Sequence, residues 1–415
     1  MAHTFRTLSS SVFLGLALLA LTACTMHHAP IGNPEAPYPP AQPPRVGEIL
    51  HIPTGTGVSE AQMLTAASDA RIVYVGETHD NPAAHRVQLA VLQAMAERWP
   101  GQVSLGMEML TRAEQPVLDR WVAGELSEKE FLKEADWYTV WSLDFAYYRD
   151  LLHFAREQKI PVVGLNAEKA LKKAVSQKPT AELSAEEQQL LPELDLTDPY
   201  QTAMLKAVFS GHHGGANQLA AFQRVQTLWD ETMAESVVRH LQTFPHDTQR
   251  MVVLAGSHHI RYGFGIPRRV FRRLPVSYVL IGSEEIEFPE HRLGQRMRVQ
   301  MPAFPMVPYD YVVFTAYEDL PGDRVKLGVR MEEQDGRVVV LAVVPGSTAE
   351  HGGVQAGDII LALDGEPIAE NFDLVYAIGQ RQTGDKALLE VERDGDVLRL
   401  EVEFQPLPRP EGHKP

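Results

Sequence analysis

Four short segments carry side chains of the kinds that do acid–base or metal chemistry. They are Gly76-Glu77-Thr78-His79-Asp80, Gly106-Met107-Glu108, Asn166, and Gly256-Ser257-His258-His259-Ile260-Arg261-Tyr262. Carboxylates and imidazoles in one place can hold a divalent cation such as Zn, Mn or Fe. The same pairs serve as general acid and base without a metal. Glu77, His79, Glu108 and His259 are therefore candidate metal ligands, and together with Arg261 candidate catalytic residues. Any one of them alone reads equally as a helix cap or a hydrogen-bonded structural group. The set as a whole points to a site.

Each segment follows a short β-rich run. Candidate strands are Arg71–Gly76, Val103–Gly106, Ile160–Leu165, Met251–Ala255 and Val276–Ile281. They lack strict alternation, as expected of strands buried on both faces. Helical stretches lie between them. Asn81-Pro82 combines a capping residue with proline at the first helical position. Phe222, Gln226, Trp229, Met233 and Val237 recur at helical steps between Asn217 and Gln242. Lys169–Leu194 reads as a solvated helical insertion or lid, and His85 as a surface residue. Alternating strands and helices imply an α/β fold with a mostly parallel sheet flanked by helices. Such sheets bind ligands beyond the carboxyl ends of their strands, so the polar segments are expected to meet on one rim.

The ordered motifs resemble the ChaN-like haem-binding lipoproteins, of the superfamily that includes Tiki proteases and erythromycin esterases. The resemblance rests on the pair Gly76…His79 and Gly256…His259, and on Gly106-Met107-Glu108 and Leu165-Asn166-Ala167. It extends to Trp229-Asp230-Glu231-Thr232-Met233-Ala234 and Gly265-Ile266-Pro267-Arg268-Arg269. His258 departs from the family, where a small residue is usual; it is expected to compete as a ligand or crowd the site. The resemblance implies haem binding through tyrosine and histidine, with pairing of two subunits; both are plausible iron ligands. In Asp198-Pro199-Tyr200 to Gly211-His212-His213-Gly214 it makes Tyr200, His212 and His213 the candidate ligands, with Met204, Phe209 and Phe222 as apolar walls.

The segment 341–363 reads LAVVPGSTAEHGGVQAGDIILAL, followed by Asp364-Gly365. It resembles the PDZ domains of bacterial periplasmic proteins. The resemblance implies a small β-rich domain in which Leu327, Gly328 and Val329 receive a peptide C-terminus. No Ser-His-Asp arrangement accompanies it, which argues against a trypsin-like protease.

The N-terminus places Arg6 before an apolar run, Val12–Leu21, of about ten residues, against the about twenty needed to span a bilayer. Leu21-Thr22-Ala23-Cys24 resembles a bacterial lipobox, which implies acylation of Cys24 and a lipid anchor. Thr25, in place of Asp, favours the outer membrane. Cys24 is the only cysteine, so no intrachain disulfide forms. Seven prolines between residues 30 and 44 make an extended linker.

The expected organisation is signal and lipobox 1–24, linker 25–46, α/β domain 47–318, PDZ domain 323–405 and a disordered tail 406–415. A net charge of −16 argues against nucleic acid as a main partner. Three functions remain open: haem or iron binding at an outer membrane; metal- or His/Glu-dependent hydrolysis; and peptide binding through the PDZ domain.

Overall fold

The structure, a computed structural model, describes residues 42–210, 216–244, 248–295, 299–320 and 325–406. Cys24, His212 and His213 lie outside the described residues.

The first unit is built on eight strands: β1 (Ile49–His51), β2 (Thr56–Val58), β3 (Ile72–Glu77), β4 (Val103–Thr111), β5 (Val162–Asn166), β6 (Arg250–Gly256), β7 (Tyr278–Glu287) and β8 (Tyr311–Ala316). They form one sheet in the order β2-β1-β8-β7-β3-β6-β4-β5. From β8 to β5 every pairing is parallel. Only β1 runs antiparallel, to β2 and to β8.

Alternation along β3 explains the two layers of helices. Val73 and Val75 face a core shared with Val91, Leu92 and Met95 of helix Pro82–Arg98. Ile72 and Tyr74 face the opposite core, with Met233 and Val237 of helix Ala216–Gln242. A strand covered on both faces needs apolar residues at every position, which is why these runs do not alternate. The segment 169–194 contributes a helix, Lys169–Gln177, a short turn and a second helix, Ala185–Leu190.

The second unit is an antiparallel sheet of β9 (Val329–Gln334), β10 (Arg337–Val343), β11 (Ile359–Leu363), β12 (Glu366–Pro367), β13 (Lys386–Arg393) and β14 (Asp396–Glu403). Its order is β14-β13-β11-β10-β9, with β12 on β11, so β9 is an edge strand. Asp364 and Gly365, at φ 51° and 81°, make the two-residue turn between β11 and β12. Pro406 is not free of the domain; it bridges to Val325.

The two units have separate cores but touch. Phe372 and Tyr376 of helix Asn371–Gly379 pack against the first unit. Lys129 reaches Asp373 at 2.8 Å and Lys133 reaches Glu370 at 2.6 Å. Removal of residues 324–415 is accordingly expected to leave the eight-stranded unit folded with one cooperative melt, at slightly lower Tm because Tyr138 and Leu320 lose cover. Loss of cooperative melting in the truncated chain would show that the two cores are one.

Candidate functional site

The site stands at the carboxyl ends of β3, β4 and β6, where register matters. Glu77, the last residue of β3, lies beside Gly256, the last residue of β6. The chain then turns, and Asn81 caps the next helix by accepting from the Ala83 N–H at 3.1 Å. The Asn81 amide nitrogen donates to Glu285 and to the Ala316 carbonyl, tying the turn to β7 and β8. The turn brings His79 back over the strand ends. Gly256 makes room for it: a Cβ there would stand 2.8 Å from the His79 ring.

Glu77 is buried and fully engaged. One oxygen lies 2.7 Å from His79 Nδ1 and accepts from the Tyr148 hydroxyl at 2.8 Å. The other accepts from Gln88 Nε2 at 2.5 Å. Burial pushes this carboxyl upward, but His85, His79 and Tyr148 outweigh it and hold it down to about 2. Burial lowers His79, yet the Glu77 bond and the charges of Glu108, Glu77 and Asp80 carry it up to about 9. Its side chain keeps 38 % exposure, so solvent screens part of this effect.

A second pair lies beside the first. Glu108 accepts from the Gly256 N–H at 2.7 Å, and its other oxygen lies 3.5 Å from His259 Nε2. The Asn166 amide donates to the Glu108 carbonyl at 3.0 Å and fixes the end of β4. His259 Nδ1 lies 2.7 Å from Asp230, on helix Ala216–Gln242. Burial opposes the charge on His259, but Glu108 and Asp230 raise it above the ordinary histidine value. Asp230 also accepts from Gln201 Nε2 at 2.5 Å, and Gln201 accepts from Arg269 at 2.6 Å. Arg261 lies over the Tyr262 ring, 5.2 Å from its centre.

Glu77, His79, Glu108 and His259 thus come together as expected, arranged as two carboxylate–imidazole pairs. Among the described residues no group of three or more His, Cys, Asp or Glu side chains is disposed to hold a metal ion. His258 is exposed on its turn but lies within electrostatic reach of His259, Arg261 and His79, and desolvation together with those neighbours lowers it to about 4. His85 is buried rather than on the surface. It shares the inner face of its helix with Gln88, Val91 and Leu92, lies 2.9 Å from the Gln88 oxygen, and reaches the His79 carbonyl at 3.0 Å.

Tyr148, Gln88 and Gln201 are neighbours that the motifs do not reveal, while Asp230 stands inside one of them, Trp229-Asp230-Glu231-Thr232-Met233-Ala234, with no role assigned to it there. For Asp230 there is a signal: an acid on a helical face otherwise lined by Trp229, Met233 and Val237. Gln88 and Tyr148 have none, because each reaches Glu77 from a helical segment with no motif of its own.

Tyr200 lies elsewhere, at the start of helix Pro199–Ser210, where the Asp198 carboxylate accepts from the Tyr200 and Gln201 N–H groups. The residue is 43 % exposed, and its ring stacks on that of Phe264, 5.5 Å away and 11° from parallel. Phe304, Tyr262 and Met204 are buried beneath it, with Met301 and Met306 alongside. Phe209 and Phe222 pair with each other at 5.5 Å. In the small domain Leu327 is buried, Gly328 turns at φ 80°, and Val329 opens β9.

The two charged pairs set a pH profile. Glu77 is held below its ordinary 4.5, so its contribution to stability is complete above pH 4.5 and is lost as pH falls towards 2. His79 is held above its ordinary 6.5, so its contribution is complete below pH 6.5 and is lost as pH rises through 9. His259, also raised, acts in the same direction as His79. Urea unfolding should therefore give a plateau between pH 4.5 and 6.5 and a decline up to pH 9. His79→Gln should flatten the alkaline decline; an unchanged slope would refute this assignment.

A profile of the family described as "Haem-binding uptake, Tiki superfamily, ChaN" matches residues 63–270, and a PDZ domain profile matches residues 325–404. The structure described as "Cofacial heme binding to ChaN of Campylobacter jejuni" superposes with a TM-score of 0.51 at 17 % identity. It covers 65 % of this chain and 96 % of that one, and shows a shared fold. Among curated proteins, a "Probable periplasmic serine endoprotease DegP-like" of Ectopseudomonas mendocina is 40 % identical over 70 residues, 17 % of this chain. One from Pseudomonas savastanoi pv. phaseolicola is 43 % identical over 70 residues. The chain spans only 15 % of the length of either. The first match takes in half of the 415 residues, the α/β unit with both Gly-x-x-His turns: this chain belongs to the ChaN family of haem-binding uptake proteins in the Tiki superfamily, and carries a PDZ domain behind it.

Proposed function

We propose that this protein binds haem outside the cytoplasm, from a lipid anchor at the outer membrane, with Tyr200 as an iron ligand. The supporting observation is Tyr200 itself: an exposed phenol stacked on Phe264 above a bed of aromatic and methionine side chains. A flat apolar macrocycle needs such a platform, and a phenolate is a proven haem ligand. Haem would supply the iron. The chain supplies the Tyr200 oxygen, the apolar seat, and, through Gln201 and Asp230, a rigid connection to the charged pairs. In the sequence His212 and His213, the remaining candidate ligands, follow the end of helix Pro199–Ser210. The exposure of Tyr200 also suits a cofacial arrangement, the form named for the Campylobacter jejuni ChaN structure, with two copies of this chain pairing over their haems.

Titration with haemin should give a Soret band at micromolar concentrations. Tyr200→Phe should remove the phenolate charge-transfer band and weaken binding at least tenfold. An unchanged spectrum and affinity would eliminate Tyr200 as a ligand, and no binding at all would overturn the haem reading.

The anchor is tested apart from haem. Cys24→Ser should yield an unprocessed or soluble product; a variant that still fractionates with the membrane after signal removal would refute acylation at Cys24. A second reading draws on His79, whose Nδ1 is held by Glu77 while its other nitrogen faces Gly256 and Glu108. An imidazole oriented by a carboxylate is the arrangement of a general acid–base catalyst. Turnover of a panel of p-nitrophenyl esters that His79→Ala abolishes would support hydrolysis, and absence of turnover would remove it.

A further inference from the structure

A cavity of about 1040 Å³ lies between the two domains. It exceeds the ~300–1,000 Å³ typical of small-molecule sites. One wall belongs to the PDZ domain: the edge strand β9 with Val329 and Met331, the loop at Leu327 and Gly328, and Val375 and Ile378 of helix Asn371–Gly379. The other wall is the α/β domain: the first turns of helix Pro82–Arg98, with Arg86 and Leu89, and the segment 138–151, with Tyr138, Ala146 and Leu151.

We propose that this cleft is one docking site with two walls, taken by an extended peptide with a free carboxylate and an apolar last residue. The inference rests on reading the small domain as a peptide-binding module and adds the α/β domain to the recognition surface. Three observations commit the site to that occupant. First, among the described residues no strand pairs with β9 on its outer side, so its backbone groups can pair with an added strand. Second, the carbonyls of Leu327 and Gly328 accept from Ala349 and Val344, while no acceptor among the described residues takes the N–H of either. Those two donors, with Lys326 on the rim, suit a terminal carboxylate. Third, the walls are held at a fixed separation. Helix Asn371–Gly379 is clamped by the ion pairs of Asp373 with Lys129 and Glu370 with Lys133, and by Phe372 against Tyr138 at 6.2 Å. An extended chain rising from the terminus would therefore have PDZ backbone on one side and Leu89, Ala146 and Leu151 on the other. The α/β wall, which also carries Arg86, Asp144, Arg149 and Asp150, then contacts the residues upstream of the terminus.

The test uses the full chain and fluorescein-labelled pentapeptides with apolar upstream residues and a free-acid Val, Leu, Ile or Phe at the last position. Anisotropy should show micromolar binding, lost on C-terminal amidation. Val375→Asp, on the PDZ wall, should weaken binding at least tenfold. Ala146→Trp, which fills the cleft from the α/β side, should do the same. Arg86→Glu, which also gives up the pairing of this 61 % exposed side chain with Glu318 and is therefore compared at matched Tm, should weaken it at least threefold. If Val375→Asp fails to bind while Ala146→Trp and Arg86→Glu bind like the wild type, the PDZ reading stands and the two-walled site is overturned. If none of the peptides binds the wild-type chain, both fall.

Discussion

His259→Ala is expected to cost about 3–5 kcal/mol of unfolding free energy, the range found when one partner of a buried ion pair is removed. His259 is 7 % exposed and stands between two carboxylates, 2.7 Å from Asp230 and 3.5 Å from Glu108. Without the imidazole, both acids face each other across a cavity with no cation between them. Glu108 would keep only the Gly256 N–H and Asp230 only Gln201. Part of the loss should be recovered at low pH, where protonation of the acids removes their repulsion. His79→Ala should cost much less, because its ring is partly solvated and Glu77 retains Tyr148, Gln88 and His85. Urea denaturation of both variants at two pH values decides the matter. Equal losses for the two would show that the pairs are not as unequal in burial as the structure has them.

Gly265→Ala should be at least as damaging as an overpacked core, about 3 kcal/mol or more, through the backbone. Gly265 precedes helix Ile266–Arg273 at φ −80° and ψ −116°. A Cβ there would lie 2.2 Å from the His259 carbonyl oxygen and 2.8 Å from the Asp230 carboxylate. The first of these atoms is backbone and cannot rotate away. The turn after β6 would have to open, separating His259 from Asp230. The expected result is a chain that melts many degrees lower. A variant with wild-type Tm would mean that the turn is far softer than its packing implies.

Much of this was legible in the residues, for physical reasons. β3, β4, β5, β6 and the first half of β7 declare themselves because strand segments covered on both faces are predominantly apolar. The charged pairs declare themselves because short polar segments at successive strand ends have one place to go. β1 and β2, at three residues each, are too short to carry a pattern, and β2 is largely exposed. β8 carries a pattern, Tyr-Val-Val-Phe-Thr-Ala, but stands beyond the last motif, next to the domain boundary. Asp230, Gln88 and His85 are partners chosen by tertiary packing. Their helices turn a polar residue inward only because a carboxylate or imidazole from a distant strand is already there. A helical pattern weighs the apolar residues of a face, and so it assigned His85 to solvent.

The antiparallel pairing of β1 with β8 has a mechanical consequence. Ile49 lies opposite Val313 and His51 opposite Tyr311, so the chain enters β1 and leaves β8 at the same end of the ladder. Gly47 and Phe314 make the outermost hydrogen bond of that end, at 2.8 Å. A pull between the segment before Gly47 and the segment after Ala316 would load these bonds one at a time, as in opening a zipper, rather than all together in shear. Under tension between an N-terminal tether and the second domain, β1 would peel away with β2 first, while the parallel strands that hold Glu77, Glu108 and His259 bear no load.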